Sequence, residues 1–418
     1  MRRGGGIGIF IVLIVLALAE YYTFSALRFS MRGLRPGLKT GLTIAYIVFT
    51  LLWIGSFLLF PAMRNGEMNK TLRNILISFT MGILITKVLI AAVLLIDDVR
   101  RVFFLMGSWF YDRNNLPQTV QQGMSRSEFL NNLALIFGGS VFAALIYGMT
   151  NRYNYNLKKV KLAFSSLPDA FHGYKVVQIS DIHSGSLNNP EAILKGIQTI
   201  NDLKPDIIFF TGDLVNNRSD EMQPFMQVFN KLQAKHGVFS ILGNHDYGDY
   251  VSWNSPQEKE KNLLTLKQIH ADLGWRLLLD EHVVLEQNGH KIGVLGVQNT
   301  SFRNNFHSYG DLKKAYEGSE ALPFKILLSH DPSHWDGEVN SKYKDIHLTL
   351  SGHTHGMQFG IDIPWLKWSP VQYMYKQWAG LYSKDDQHIY VNRGFGFLGY
   401  PGRVGILPEI TFFELHKS

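Results

Sequence analysis

Four long apolar runs occupy most of the first third of the chain: Ile7–Leu27, Leu38–Phe60, Leu72–Ile96 and Phe129–Met149. Each reaches the roughly 20 residues that a helix needs to cross a bilayer. Gly33, Pro36 and Gly37 fall between the first two, and Pro61 and Gly66 between the next two, as expected of short loops. The connection from Asp97 to Glu128 is longer and carries Arg100, Arg101, Trp109, Phe110 and Tyr111, residue types that favour a membrane–water interface. A soluble bundle with buried helices is the alternative, but helices apolar on every face seldom stay soluble. The reading is a module of four transmembrane helices over residues 1–152, followed by a second domain over 153–418.

Charge separates the same two parts. Residues 1–152 carry 15 Lys/Arg against 6 Asp/Glu, and residues 153–418 carry 26 against 28. All 15 histidines lie in the second part. A nucleic-acid binder would place its excess cations on the folded domain to neutralise phosphates. Here the excess flanks the apolar runs, which speaks against nucleic acid and for membrane anchoring. With no cysteine in the sequence, disulfides, thiolate catalysis and Cys-ligated metal sites are excluded.

Arg2-Arg3, the first apolar run and Ala17-Leu18-Ala19 imitate a signal peptide with its cleavage site, yet the run continues through Tyr22, Phe24 and Leu27 into a full span. The Gly4–Gly8 stretch lacks the Lys-Ser/Thr of a phosphate loop. Lys87, inside the third run, is expected to snorkel or face the bundle interior, with contact to a lipid phosphate as the functional alternative. Basic residues flanking the spans number nine on the side of the chain ends and eight on the other. The positive-inside rule therefore leaves the side nearly open, leaning to cytoplasmic ends in a multi-pass protein of the cell membrane.

After Tyr153, short apolar strands recur at Lys175–Ile179, Asp206–Phe210, Val238–Leu242, Lys291–Val297, Phe324–Leu328, Ile346–Leu350, Ile389–Val391 and Ile410–Leu415. Helical stretches lie between several of them, Pro190–Leu203 and Gln223–Leu232 among them, so the expectation is a layered α/β domain. Five strands run directly into metal-ligand residue types. They are followed by Ser180-Asp181-Ile182-His183, Thr211-Gly212-Asp213, Gly243-Asn244-His245-Asp246, Ser329-His330-Asp331, and Ser351-Gly352-His353-Thr354-His355-Gly356. One such ending would read as an ordinary turn. Five in one domain point to a site, because α/β sheets gather their ligands at strand carboxyl ends.

Carboxylate and imidazole donors without sulfur suit Mn²⁺, Fe or Zn²⁺ better than Ca²⁺ or Mg²⁺. The donors are too many for one ion. Two ions sharing a bridging carboxylate would use them, a known arrangement for phosphoryl displacement.

The order Asp-x-His, Gly-Asp, Gly-Asn-His-Asp, His, Gly-His-Thr-His resembles the calcineurin-like metallophosphoesterases over about Phe164 to Leu415. Val160–Phe164, Leu167-Pro168 and Gly173-Tyr174-Lys175 before the first motif resemble the membrane-anchored bacterial branch, as do Arg393-Gly394 and Leu407-Pro408-Glu409-Ile410 near the end. That branch includes UDP-2,3-diacylglucosamine pyrophosphohydrolase-like enzymes. The resemblance implies a four-layer domain of two β-sheets flanked by helices. It also implies two divalent metal ions (Mn, Fe or Zn, with Mn the first choice in vitro). Asp181, His183 and His355 would hold one, Asn244, His330 and His353 the other, and Asp213 would bridge. His245 would sit beside the substrate phosphate, stabilising charge or protonating the leaving group, with Asp213 and His245 as the catalytic pair. Where the motif usually reads Gly-His-Thr-His-Gly-Gly, this chain has Met357 after Gly356.

The expected chemistry is attack of metal-activated hydroxide on phosphorus without a covalent protein intermediate. Asp246 could orient it or simply form a turn; Arg393 and Arg403 are candidate phosphate clamps or surface arginines. Among the other histidines, His334 stands out by following His330 by four. Three functions compete: hydrolysis of a phospholipid or lipid-linked substrate at the bilayer, hydrolysis of soluble phosphoesters by an anchored enzyme, and a non-catalytic metal-binding scaffold. Aromatic and apolar stretches at Phe359, Ile361–Trp365, Trp368, Tyr373, Tyr375, Trp378 and Phe395–Tyr400 are either a membrane-facing patch or core. The intact ligand set and His245 weigh against the scaffold.

Overall fold

The structure, a computed structural model, describes residues 5–59, 69–108, 128–303 and 306–418. Pro61, Gly66, Trp109, Phe110 and Tyr111 of the sequence reading lie outside them, as do Arg2, Arg3 and Gly4. The chain divides into two compact units, Met1–Tyr147 and Gly148–Ser418.

The first unit contains four helices among the described residues: α1 (Gly5–Ser30), α2 (Pro36–Ser56), α3 (Lys70–Ser108) and α4 (Glu128–Gly148). All four are long and apolar enough to cross a membrane. Their contact surface is built largely from small side chains, with Ala19, Ala26, Ala91 and Ala134 buried around Leu94 and Ile90. Large apolar side chains point outward instead: Leu52 and Ile96 are each 71% exposed and Phe129 is 72% exposed. A soluble bundle would bury these, so this surface is made for lipid.

One sequence expectation changes here and one, at Lys87, is met. Asp97–Ser108 is not loop but the end of α3, which runs for 39 residues, about 58 Å and well beyond a bilayer core. Arg100 and Arg101 pair with Asp97 and Asp98 one turn back, which supports helix where apolar content falls. Lys87 faces the interior, 3% exposed. It ion-pairs with Glu20, donates to Thr50 Oγ1 at 3.2 Å and lies 4.4 Å from the Trp53 ring centroid, so no lipid phosphate is needed to explain it.

The second unit has two six-stranded sheets. Its strands are β1 (Asn156–Phe164), β2 (Tyr174–Ile179), β3 (Ile207–Phe210), β4 (Val238–Ser240), β5 (Trp275–Leu277), β6 (Glu281–Gln287) and β7 (His290–Gly296). They continue with β8 (Lys325–Leu328), β9 (Leu348–Ser351), β10 (Ile361–Ile363), β11 (Leu366–Trp368), β12 (Gly380–Lys384), β13 (Gln387–Val391) and β14 (Glu409–Lys417). One sheet has the order β1-β14-β2-β3-β4-β5 and the other β12-β13-β9-β8-β7-β6; β10 and β11 form a separate hairpin. The central strands of both are parallel.

Alternation along the strands builds the layers. Val176, Ile207, Phe209, Ile326 and Leu328 meet in a core between the sheets. Their neighbours Val177, Ile208 and Phe210 pack on the other side against Ile193, Ile197 and Ile200 of α5 (Pro190–Asp202) and Leu266 and Ile269 of α6 (Pro256–Asp272). Leu295 and Leu327 pack outward with Leu312, Trp335 and Val339. Burial on both faces is why these strands read as unbroken apolar runs. The result is the four-layer α/β arrangement of two sheets between helical layers. One expected helix differs: Gln223–Leu232 is a 3₁₀ stretch (Ser219–Phe225) followed by a single turn, Met226–Phe229. Pro224 lacks the N–H that a longer helix would need.

Candidate metal centre

The carboxyl ends of β2, β3, β4, β8 and β9 point their following residues to one place. The first two tails stay hydrogen-bonded past the strands: Asp181 N–H donates to the Gly212 carbonyl at 2.9 Å and His183 N–H to the Asp213 carbonyl at 3.1 Å. Gly352 N–H donates to the His330 carbonyl, tying the β8 and β9 tails. A Cβ at Gly352 would strike the Ser180 side chain and the Asp181 carboxylate, and one at Gly243 would strike Asp213. Only glycine permits this approach of the tails.

Two donor groups result. In one, Asp181, His183 and His355 offer atoms all within 4.8 Å of one another; in the other, Asp213, His330 and His353 do. His183 Nε2 is 3.0 Å from His355 Nε2, and His355 Nε2 is 3.3 Å from Asp181 Oδ1. Asn244 Oδ1 lies 3.1 Å from His330 Nε2 and 2.8 Å from His353 Nδ1. Asp213 Oδ2 is 3.5 Å from His183 Nε2 and 3.2 Å from His330 Nε2, so one oxygen stands between the groups.

This donor set fits divalent cations. His330 Nδ1–H donates to the Thr211 carbonyl at 2.7 Å, which orients the ring and leaves Nε2 toward the cluster. His353 turns Nε2 to the Tyr375 hydroxyl at 2.8 Å, leaving Nδ1 toward Asn244. His183 Nδ1 is buried with no hydrogen-bond partner, and burial holds its ring well below the ordinary histidine range. Burial alone would raise Asp213, but His330 and His245 overcome it and hold the carboxylate well below its usual range. Conversely Asp213 overcomes burial to hold the His330 proton up to about 10. The cluster draws positive charge to the place where cations would bind. His355 is the exception: Arg403 Nη2 stands 3.3 Å from its Nδ1. A guanidinium only donates, so Nδ1 of the neutral His355 ring is the acceptor of that contact.

Backbone strain marks the same residues. Asp181, His183, Asp213, His353 and His355 all have positive φ, between 48° and 73°. Each costs on the order of 1–3 kcal/mol, and such strain concentrates at functional sites.

His245 lies at the rim, half-buried. Its N–H donates to Asp213 Oδ1 at 2.8 Å and its Nδ1–H to the Asn216 carbonyl at 2.7 Å, so Nε2 is the ring atom left for chemistry. Asp246 faces away from the cluster. Its carboxylate accepts N–H bonds from Asp213, Leu214, Val215 and Gly243, a turn-holding role. Arg393 is buried against Glu409 and Asp362, and Arg403 donates to the carbonyls of His355, Arg393, Gly394 and Gly396. Neither is a clamp for substrate; Arg403 braces the His355 loop. His334 is consumed by Ser329 and Glu338.

Sequence reading weighed Tyr375 only as a membrane-facing or core aromatic, and assigned no role to Tyr250, which accepts from Asn244 Nδ2 at 2.8 Å, or to Asp331, whose carboxylate is 3.7 Å from His353 Nε2. Asp331 follows His330 directly and was findable; the tyrosines carry no local signal. The aromatic stretches divide. Tyr375, Trp378, Phe395 and Phe397 are core, whereas Trp365 and Tyr373 are 83% and 78% exposed.

The chain resembles known proteins over both of its parts. Residues 174–357 match the family described as "Calcineurin-like phosphoesterase", and residues 2–152 match "Probable Calcineurin-like phosphoesterase, transmembrane domain". Metallophosphoesterase YkuE of Bacillus subtilis is 32% identical over 305 residues, covering 71% of this chain and 99% of that one. Metallophosphoesterase Cj0846 of Campylobacter jejuni is 25% identical over 412 residues, 97% of each chain. UDP-2,3-diacylglucosamine pyrophosphatase LpxG of Chlamydia muridarum is 28% identical over 294 residues, 59% of this chain and 86% of that one.

A four-layer α/β domain with such a donor set, behind four membrane-spanning helices, defines a membrane-associated, metal-dependent phosphoester hydrolase. The chain belongs to the calcineurin-like metallophosphoesterases.

Proposed function

We propose that the chain is a dinuclear metal-dependent hydrolase of a phosphoester or pyrophosphate bond in a lipid-linked or amphipathic substrate. Residues 1–152 form its membrane module and 153–418 its catalytic domain. The observation that carries this reading is the Asp213 oxygen standing between two groups of donors. Asp181, His183 and His355 hold one ion, Asn244, His330 and His353 the other, and Asp213 both. When bound, the ions supply Lewis acidity to phosphoryl oxygens and lower the pKa of water. His245, its ring fixed by Asn216, stabilises phosphate charge or gives a proton from Nε2 to the leaving oxygen. Tyr375 and Asp331 hold the His353 ring.

Three observations support an amphipathic substrate. A cavity of about 340 Å³ is lined by the apolar Phe302, Met374 and Tyr375 together with the charged Arg303, Lys376 and Asp336, and Tyr375 also touches His353. The hairpin β10–β11 and the segment after it expose Ile361, Ile363, Trp365, Leu366, Tyr373 and Met374. The relative LpxG is named for a diacylated, pyrophosphate-linked sugar.

The test is product release by the full-length protein with Mn²⁺, comparing a UDP-linked diacyl sugar with a soluble aryl phosphodiester, and Asp213→Asn as blank. Turnover of the lipid, lost in the variant, is the expected result. Turnover of only the soluble ester would overturn the lipid assignment, and equal turnover by the variant would overturn the site.

A further inference from the structure

At one end of the first unit, the last three turns of α1, the loop after it, the start of α2 and the late turns of α3 line a cavity of about 480 Å³. That volume falls in the range of roughly 300–1,000 Å³ typical of small-ligand sites. Its lining has four cations, Arg28, Arg32, Lys39 and Arg101, against one carboxylate, Asp98. Asp98 is already engaged, pairing with Arg101 at 3.1 Å and accepting from the Tyr22 hydroxyl at 2.9 Å. Arg28, Arg32 and Lys39 have no carboxylate partner among the described residues. Arg28 and Arg32 instead lie 5.9 and 4.1 Å from the ring centroids of Phe24 and Phe29, which also line the cavity.

By length and composition, the candidate spans Leu13–Ser30 and Pro36–Leu59 meet at this end with Arg32 between them, which places the mouth of the cavity near a bilayer–water interface. Cations gathered with aromatic rings at that depth meet a dense supply of lipid phosphates. Guanidinium matches two phosphate oxygens at once, and ring faces cover the glycerol and upper acyl carbons. Tyr21, also in the lining and 64% exposed, adds an amphipathic ring deeper along α1.

We infer that this cavity binds the phosphate headgroup of an anionic membrane lipid. The site is independent of the metal centre and of the substrate assigned to it. Its chemistry is recognition of a phosphate monoanion by two arginines and a lysine, with the bilayer as source.

The test measures binding to full-length protein in detergent micelles by native mass spectrometry and by the shift of the thermal midpoint. The probes are phosphatidylglycerol, phosphatidylcholine and inorganic phosphate. Phosphatidylglycerol should be retained and raise the midpoint, with the other two ineffective. Each cation removed should weaken retention about fivefold, so Arg28→Gln with Arg32→Gln should lose about 25-fold. Arg28→Lys with Arg32→Lys keeps the charge but not the two-oxygen match and should fall between wild type and the glutamine pair, and Arg35→Gln, an exposed loop arginine outside the lining, should change nothing. If the double glutamine variant fails to fold, Lys39→Gln alone reads the single step. Equal loss in Arg35→Gln would reduce the effect to general interface charge and overturn the site. Equal retention of phosphatidylcholine, or full competition by inorganic phosphate, would overturn the lipid assignment.

Discussion

Lys87 in the membrane module and Asp213 in the catalytic domain are both charged and both nearly inaccessible, at 3% and 1% exposure. Their surroundings differ in kind. Lys87 is answered locally, by the Glu20 carboxylate, the Thr50 hydroxyl and the Trp53 ring. Around Asp213, carboxylate and imidazole groups converge on one another and several of these residues sit in strained backbone. Burial of charge therefore does not define a site. Several metal-type donors converging from separate strand ends, held at a cost in backbone energy, do.

The largest effect expected is at the second cluster. Asp213→Asn keeps shape and tolerates the φ of 61° found there, so it removes charge alone. Metal-dependent hydrolysis should fall by at least about 1,000-fold, and retained activity would remove Asp213 from the ligand set. At the first cluster the loss should be of stability. Lys87→Met strands Glu20 and should cost about 3–5 kcal/mol, read from unfolding in detergent, with Glu20→Gln restoring most of it. A silent Lys87→Met would erase the contrast between the clusters.

His270 offers a third case, buried and neutral with Ser240 as partner at 2.9 Å. Burial draws its pKa down to about 3, against about 6.5 in the unfolded chain. The neutral ring's contribution is complete above pH 6.5 and is lost as pH falls toward 3. The cost should reach about 2 kcal/mol by pH 5. His270→Leu should flatten the stability–pH slope in that window relative to wild type; an unchanged slope would assign it to other groups. The smallest effect is at Met357, whose φ is 55° where the related motif has glycine. Met357→Gly should stabilise the His355 loop by about 0.5–1 kcal/mol, measured as a rise in thermal midpoint; a fall would mean that the Met357 side chain contributes packing that outweighs the strain.

Much of this architecture is legible locally. Apolar run length marks the four spans, and strands buried on both faces appear as short apolar runs ending in ligand residues. The exceptions have specific causes. Asp97–Ser108 reads as loop because its helix is held by ion pairs rather than apolar content. Arg393 and Arg403 read as phosphate clamps or surface arginines because nothing beside them in sequence announces Glu409 or the carbonyls of the His355 loop. Strand β5 and the hairpin β10–β11 are three-residue strands, too short for any period to register.

What the sequence determined by itself was the division into a membrane module and an α/β domain, and the residue types at the five strand ends. Run length, alternation and turn residues are properties of neighbouring positions, and they need no partner. Tertiary structure alone decided that Glu20 answers Lys87 across 67 positions and that Asn244 meets His330 across 86. It alone distinguished Trp365 from Trp378, one exposed and one core. Those outcomes depend on helix contacts, on sheet order and on which strand tails end side by side, and no local pattern encodes them.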